Sequence, residues 1–194
     1  MKIAVAGTHR VGKTTLTEAF VEARPEYRLE SEPYVALIND WGEQFSDDLA
    51  VESFERQLRH HRDRVSALAA EPNVMFDRCA ADLLAYMKAA MEELGGGELP
   101  EYAITIAQQA LEGIELIVHL PLRLTRGLVA DAEDAAYRRE VDRHLAGILE
   151  DDALGLLGIG SAPRVLALGG STTKRLKLLL AYVECHERGA GPMF

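Results

Sequence analysis

The chain has 194 residues, of which 48% are hydrophobic and 27% charged; that balance fits a soluble globular protein with one buried core and excludes a disordered or fibrous class. With 31 acidic against 21 basic residues the net charge is −10, which repels nucleic acid unless basic groups gather on one face. The two cysteines, Cys79 and Cys185, are too few for a disulfide framework or a four-thiolate metal site, and no stretch approaches the ~18 uninterrupted apolar residues of a membrane helix. A cytoplasmic protein with no membrane partner is therefore expected.

Short hydrophobic runs alternate with longer segments of helical spacing, as in a parallel sheet covered by helices on both faces. The predicted fold is α/β: three layers around a parallel sheet of about five strands, as one domain over residues 1–188 followed by a flexible tail at 189–194, where Gly189, Gly191 and Pro192 interrupt the chain.

The first strand is predicted at Lys2 to Ala6, and it runs into VAGTHRVGKTTL. Gly7, Gly12, Lys13 and Thr14 fill the pattern GxxxxGKT, whose loop, including Arg10 and Val11, turns backbone N–H groups toward phosphates at the start of a helix. Lys13 adds a charge for the β and γ phosphates, and the Thr14 hydroxyl is a ligand for Mg²⁺ bridging them. Thr15 is a contact of lesser weight. Arg10 is either a phosphate contact or a solvated loop residue, and His9 is a spacer with a local hydrogen bond.

A second strand is predicted at Tyr27 to Glu30, followed by LESEPY. Alternation puts Glu30 and Glu32 on one side of an extended chain, and Glu32, before Pro33, is the candidate base for a hydroxyl acceptor. Pro33 is expected to end the strand and fix a turn. The alternative is a solvated acid pair. Trp41 falls in a predicted WGE loop, and Asp47 to Ala70 forms a long amphipathic helix carrying Leu49, Phe54, Leu58, Val65 and Leu68 on its apolar side. His60 and His61 on that helix lack metal-ligand companions and are expected at the surface. Tyr34, Trp41, Phe54, Gln57 and Tyr86 are candidates for an acceptor pocket that stacks on a planar group, with Phe54 more at home in the core.

The third strand, Asn73 to Asp77, delivers FDRCAADLLAYM to the edge of the sheet where ligands gather in open α/β folds. Asp77 is the candidate Mg²⁺ ligand and Arg78 the clamp for an acceptor; the alternative is a surface pair capping the next helix. Helices follow at Ala80 to Leu94, stopped by Gly95 to Gly97, and at Glu101 to Glu112. A fourth strand at Leu116 to Leu120 includes His119, expected as a core or rim residue. A mobile segment then carries Arg123 and Arg126, and a helix at Ala135 to Glu150 turns Tyr137, Val141, Leu145 and Ile148 to one side. The fifth strand, Arg164 to Leu168, leads through LALGGSTTKR to a final helix at Ser171 to Glu187, with Ser171 as its cap.

The phosphate loop, EP after the second strand and DR after the third resemble the P-loop nucleoside and nucleotide kinases. The resemblance is strongest to the NadR-like AAA ATPase/kinase group, whose DR…D.LAY stretch is matched by Asp77, Arg78, Asp82, Leu84, Ala85 and Tyr86. It implies a P-loop NTPase fold of the nucleotide kinase type, ATP and Mg²⁺ as cofactors, Lys13 and Thr14 on the phosphates and metal, Glu32 as base, Asp77 on the metal and Arg78 on the acceptor. It also implies a lid at about residues 121–139 with arginines for the transferring phosphoryl group. This chain reads Arg126, Gly127, Leu128, Val129 where relatives read like DGVR, so the choice stays open among Arg123, Arg126, Arg138 and Arg139; Arg126 and Arg138 are taken as the candidates, with a solvated helix face as the alternative for Arg138 and Arg139. Gly170 and Ser171 would lie beside the adenine, and Arg175 would stack on it or face solvent.

An ATP- and Mg²⁺-dependent phosphotransferase acting on a nucleoside, nucleotide or related ribosyl acceptor is the leading expectation. The absence of an NKxD motif favours ATP over GTP. An NTPase switch or regulatory nucleotide-binding protein is the alternative. The expected partner is the small-molecule acceptor; a homodimer stays open.

Overall fold

The structure is a computed structural model and describes residues 1–41, 51–122, 132–158 and 163–189, apart from the side chains of residues 40, 41 and 132–134. Five strands, β1 (Lys2–Ala6), β2 (Arg28–Glu30), β3 (Val74–Phe76), β4 (Leu116–His119) and β5 (Arg164–Ala167), pair in parallel in the order β2-β3-β1-β4-β5. The helices are α1 (Lys13–Ala23), α2 (Pro33–Trp41), α3 (Val51–Ala67), α4 (Ala80–Glu93), α5 (Glu101–Leu111), α6 (Ala132–Glu150) and α7 (Thr172–Glu187). The α/β fold with a five-stranded parallel sheet is as the sequence leads one to expect.

The alternation of side chains along each strand divides the core between two faces. Ile3 and Val5 of β1, Met75 of β3 and Leu116 and Val118 of β4 pack with Leu16 and Phe20 of α1 and Leu179 and Val183 of α7. Ala4, Ala6, Val74, Phe76 and Ile117 point the other way, into the apolar sides of α3, α4, α5 and α6. A strand buried on both faces needs apolar residues along its buried length, and Ile3–Ala6, Val74–Phe76 and Leu116–Val118 supply them, with Lys2 and His119 at the strand ends.

The central position of β1 sets up the site. It pairs with β3 on one side and β4 on the other, so Ala4 faces Phe76 and Ala6 faces His119. The ends of β1, β2 and β3 therefore converge, and the Asp77 N–H donates to the Glu30 carbonyl at 2.9 Å.

Several elements differ from expectation. Pro33 does not end in a turn but starts α2, where its fixed φ and missing N–H suit the first helical position, and Trp41 ends that helix rather than sitting in a loop. The predicted helix from Asp47 is described from Val51 onward; residues 42–50 lie outside the described residues. α6 starts at Ala132, ahead of the expected Ala135. Within the expected lid, residues 123–131, with Arg123 and Arg126, lie outside the described residues, as do residues 190–194 of the tail.

His61 is buried rather than at the surface. On α3 it falls in the seam defined by Phe54, Leu58 and Val65, all of them buried, and its ring meets Phe76 edge-on at 5.5 Å. The helical period outranks the charged neighbours on either side.

Candidate active site

β1 runs into Gly7, where the backbone has φ 153°. A Cβ there would stand 2.8 Å from Val11 Cγ1 and 2.9 Å from the Leu120 carbonyl oxygen, so only glycine fits the entry to the loop. Arg10 at φ 58° and Gly12 at φ 94° complete the turn, and Gly12 is the residue before α1. The Lys13 ammonium folds back onto the loop and donates to the carbonyls of Gly7 at 2.9 Å and Thr8 at 3.0 Å. Burial depresses its pKa to about 8; Arg78 pushes the same way, against the opposing charges of Asp82, Glu32 and Asp77.

Thr14 is exposed on the first turn of α1, and its hydroxyl donates to Asp77 Oδ2 at 2.6 Å. Asp77 Oδ1 is buried without a hydrogen bond to the described residues. Burial raises the Asp77 pKa, with the Thr14 hydrogen bond and Lys13 acting against it. A hydroxyl and a carboxylate with one uncommitted oxygen are the hard oxygen donors that Mg²⁺ takes, so the residues fit this ion. Thr15 and Arg10 are exposed.

Arg78 follows Asp77 with φ 149°, a conformation costly for a residue with a Cβ and of the kind that clusters where function demands it. Its guanidinium lies 5.2 Å from the centre of the Tyr86 ring and donates from Nε to Glu32 Oε1 at 2.7 Å, with Nη2 on the same oxygen. Glu32 Oε2 receives no hydrogen bond from the described residues. Burial alone would raise the Glu32 pKa, but the Arg78 charge and hydrogen bonds outweigh it and hold the carboxyl below its usual range. Arg78 loses solvation yet is raised by Glu32 and its other acidic neighbours, so it stays charged.

Glu30 does not join Glu32. Its carboxylate is taken by Arg64 of α3, with Nη2 at 3.0 Å from Oε1 and 2.9 Å from Oε2. Arg28 Nε stands 3.7 Å from Glu30 Oε2 as well, so Glu30 is held by Arg64 and Arg28 while Glu32 is held by Arg78.

Behind the pair lies a buried wall. Phe54 stacks on Tyr86 with centroids 5.3 Å apart and planes at 22°. The Tyr86 hydroxyl accepts from the His9 N–H at 2.5 Å and lies 3.0 Å from His9 Nδ1. Gln57 is buried one turn along α3 from Ser53, to whose Oγ it donates at 3.2 Å. Burial lowers the His61 pKa to about 4, helped by His60 and Arg78.

On the other side of the loop, Arg175 of α7 donates from Nη1 to the Val11 carbonyl at 2.7 Å and is buried. It neither faces solvent nor stands free to stack on a base, as the sequence alone suggests; the phosphate loop occupies its guanidinium. Ser171 spends its hydroxyl on capping α7, accepting from the Lys174 N–H at 3.3 Å, and Gly170 turns the chain at φ 91° just before it. Arg138 lies inside α6 and is buried, with Nε and Nη2 making no hydrogen bond to described residues, while Arg139 is exposed. It follows Tyr137, whose ring is 6.2 Å from that of Tyr86.

Two residues of the site go beyond the sequence-based assignment. Asp82 is fully buried and accepts the Gly7 N–H at 3.1 Å; the sequence matches it to the D of DR…D.LAY without giving it a role, and a lone acid among Ala80 to Met87 was a further signal. Arg175 as a brace for the loop had none, since 164 positions separate it from Val11.

The AAA_28 family model, described as an AAA domain, matches residues 2–151. No curated protein matches the sequence. Among solved structures, thymidylate kinase from Candida albicans is 16% identical with a TM-score of 0.60, over 96% of this chain and 92% of that one. Deoxyadenosine kinase from M. mycoides with bound dATP is 14% identical with a TM-score of 0.63, over 95% and 100%. NadR protein in complex with NAD and AMP-PNP is 18% identical with a TM-score of 0.62; all of this chain is covered, against 50% of that one. At such identities the likeness is one of fold.

Proposed function

The chain belongs to the AAA_28 family and has the fold of P-loop nucleotide kinases, and from that premise we propose that it transfers the γ-phosphoryl group of ATP, with Mg²⁺, to a hydroxyl of a nucleoside, nucleotide or related ribosyl acceptor. The observation that carries the reading is the adjacency of Asp77 and Arg78. One is hydrogen-bonded to the loop threonine, and the next holds a carboxylate with an oxygen to spare.

In this reading the N–H groups of the loop from Gly7 to Gly12 and the start of α1 bind the triphosphate. The Lys13 ammonium leaves its two carbonyls for the β and γ phosphates. Thr14 and Asp77 hold Mg²⁺, which when bound neutralises charge on the β and γ oxygens. Arg78 keeps Glu32 ionised and fixed, so that Oε2 accepts the hydrogen bond, and then the proton, of the attacking hydroxyl. Phe54, Gln57 and Tyr86 form the wall against which a planar group of the acceptor rests. Gly170 and Ser171, joined to the loop through Arg175, would lie beside the adenine. Arg138, with Arg126, is the candidate to meet the transferring phosphoryl group.

The test incubates the protein with Mg²⁺, ATP labelled in the γ position and a panel of nucleosides, nucleoside monophosphates and ribosides. Label should move to one acceptor class, and Lys13→Ala should abolish the transfer. Hydrolysis that no acceptor accelerates would instead make the protein an NTPase switch.

A further inference from the structure

Asp82 lies on the first turn of α4 with its side chain wholly out of water. An acid there favours the helix dipole, but burial raises the Asp82 pKa to about 7, against the charges of Lys13 and Arg78 and the backbone N–H groups of Gly7 and Cys79. The side chain nevertheless reaches away from its own helix. Oδ1 accepts the N–H of Gly7, the residue at which the phosphate loop leaves β1. Oδ2 stands 3.9 Å from Arg78 Nη1. Neither Oδ2 nor Nη1 makes a hydrogen bond to the described residues, although both are buried.

A carboxylate oxygen buried without a hydrogen bond is costly, and helix capping alone gives no reason to keep one. The arrangement makes sense as a link. Gly7 holds the Lys13 ammonium on its carbonyl and Asp82 on its N–H, so a triphosphate that draws Lys13 away changes the setting of the same residue that Asp82 grips, through the two peptide units that meet at its Cα. Arg78, on the far side of Asp82, carries Glu32. Four groups, Gly7, Asp82, Arg78 and Glu32, thus form one polar chain from the donor loop to the acceptor base.

We propose that Asp82 is a positioning residue that couples the phosphate loop to the Arg78–Glu32 pair, so that events at one half of the site are felt at the other. This rests on the phosphoryl-transfer reading of the site. Coupling of this kind is a free energy shared by two groups and is measured as a failure of additivity.

The experiment is a double-substitution cycle read by calorimetric titration of AMP-PNP with Mg²⁺, which needs no acceptor. The proteins are the unsubstituted chain, Arg78→Lys, Asp82→Asn and the double variant. Asparagine keeps an oxygen for the Gly7 N–H and loses the charge facing Arg78. Lysine at 78 loses the fork that Arg78 sets between Glu32 and Asp82. Arg78→Lys should weaken AMP-PNP binding about threefold or more when Asp82 is present, and should have no effect in the Asp82→Asn background. An equal loss in both backgrounds would mean that Arg78 acts on the nucleotide directly, and would overturn the coupling. Should Asp82→Asn not fold, Asp82→Ser, which offers a shorter acceptor to Gly7, takes its place in the cycle, and unchanged affinity in Arg78→Lys overturns the proposal at once. If the unsubstituted chain fails to bind AMP-PNP, the phosphate-loop reading itself falls and takes the coupling with it.

Discussion

The Thr14 hydroxyl and the Asp77 carboxylate meet at 2.6 Å across 63 positions of sequence, and the second Asp77 oxygen is buried with no hydrogen bond among the described residues. Asp77→Asn keeps the shape and an acceptor for Thr14 while removing the charge a divalent cation needs. The Mg²⁺ concentration for half-maximal ATP turnover should rise by about ten- to a hundredfold. A metal titration that overlays the unsubstituted protein would reduce Asp77 to a structural partner of Thr14.

Glu32 keeps one oxygen on Arg78, and the other receives no hydrogen bond from the described residues. Glu32→Gln should lower kcat by about 10²- to 10⁴-fold, the usual contribution of a general base, while the KM for ATP stays within about threefold. Because the Arg78 charge outweighs burial and holds the Glu32 pKa down, the base stays ionised as the pH falls, and the acid limb of the pH–rate profile should lie below the ordinary carboxylate range. A limb near neutrality would point to another base.

The strands were legible in the sequence because each is a short apolar run bounded by turn residues, and because β1 ends at a motif whose geometry demands a strand before it. Lys13, Thr14, Glu32, Asp77 and Arg78 were legible for the same reason, as each follows a strand end on the side where a parallel sheet gathers its ligands. α2 was hidden by Pro33, which reads as a stop and serves as a start. His61 was hidden by its charged neighbours, although its spacing of seven from Phe54 and three from Leu58 carried the signal. The division of Glu30 to Arg64 and Glu32 to Arg78 joins side chains 34 and 46 positions apart, and no local pattern encodes that.

His61 makes the fold acid-sensitive. In the unfolded chain it titrates near 6.5, whereas in the fold burial, aided by His60 and Arg78, keeps it neutral down to about 4. Between those values the unfolded state binds more protons, so this contribution to stability is complete above pH 6.5 and is lost as the pH falls toward 4. The loss should amount to about 3 kcal/mol. Urea denaturation at pH 6.5, 5.5 and 4.5 measures it, and His61→Leu should flatten the slope; parallel slopes in the two proteins would assign the acid sensitivity elsewhere.

Arg175 reaches across from α7 to hold the Val11 carbonyl at 2.7 Å. A phosphate loop works only if its N–H groups point inward, and a peptide whose carbonyl is pinned from outside has its orientation fixed before any phosphate arrives. The guanidinium loses solvation to do this, and burial lowers its pKa accordingly. Arg175→Ala removes a charge-assisted hydrogen bond worth about 1.5–3 kcal/mol. If that energy served the fold alone, it would be lost from the unfolding free energy with no change in nucleotide affinity. If it preorganises the loop, part must instead surface as weaker binding. Calorimetry of ATP with Mg²⁺ against Arg175→Ala should therefore show about a tenfold loss of affinity, alongside a smaller loss of stability than the bond's full worth. Full affinity in a destabilised variant would return Arg175 to the core as a packing residue.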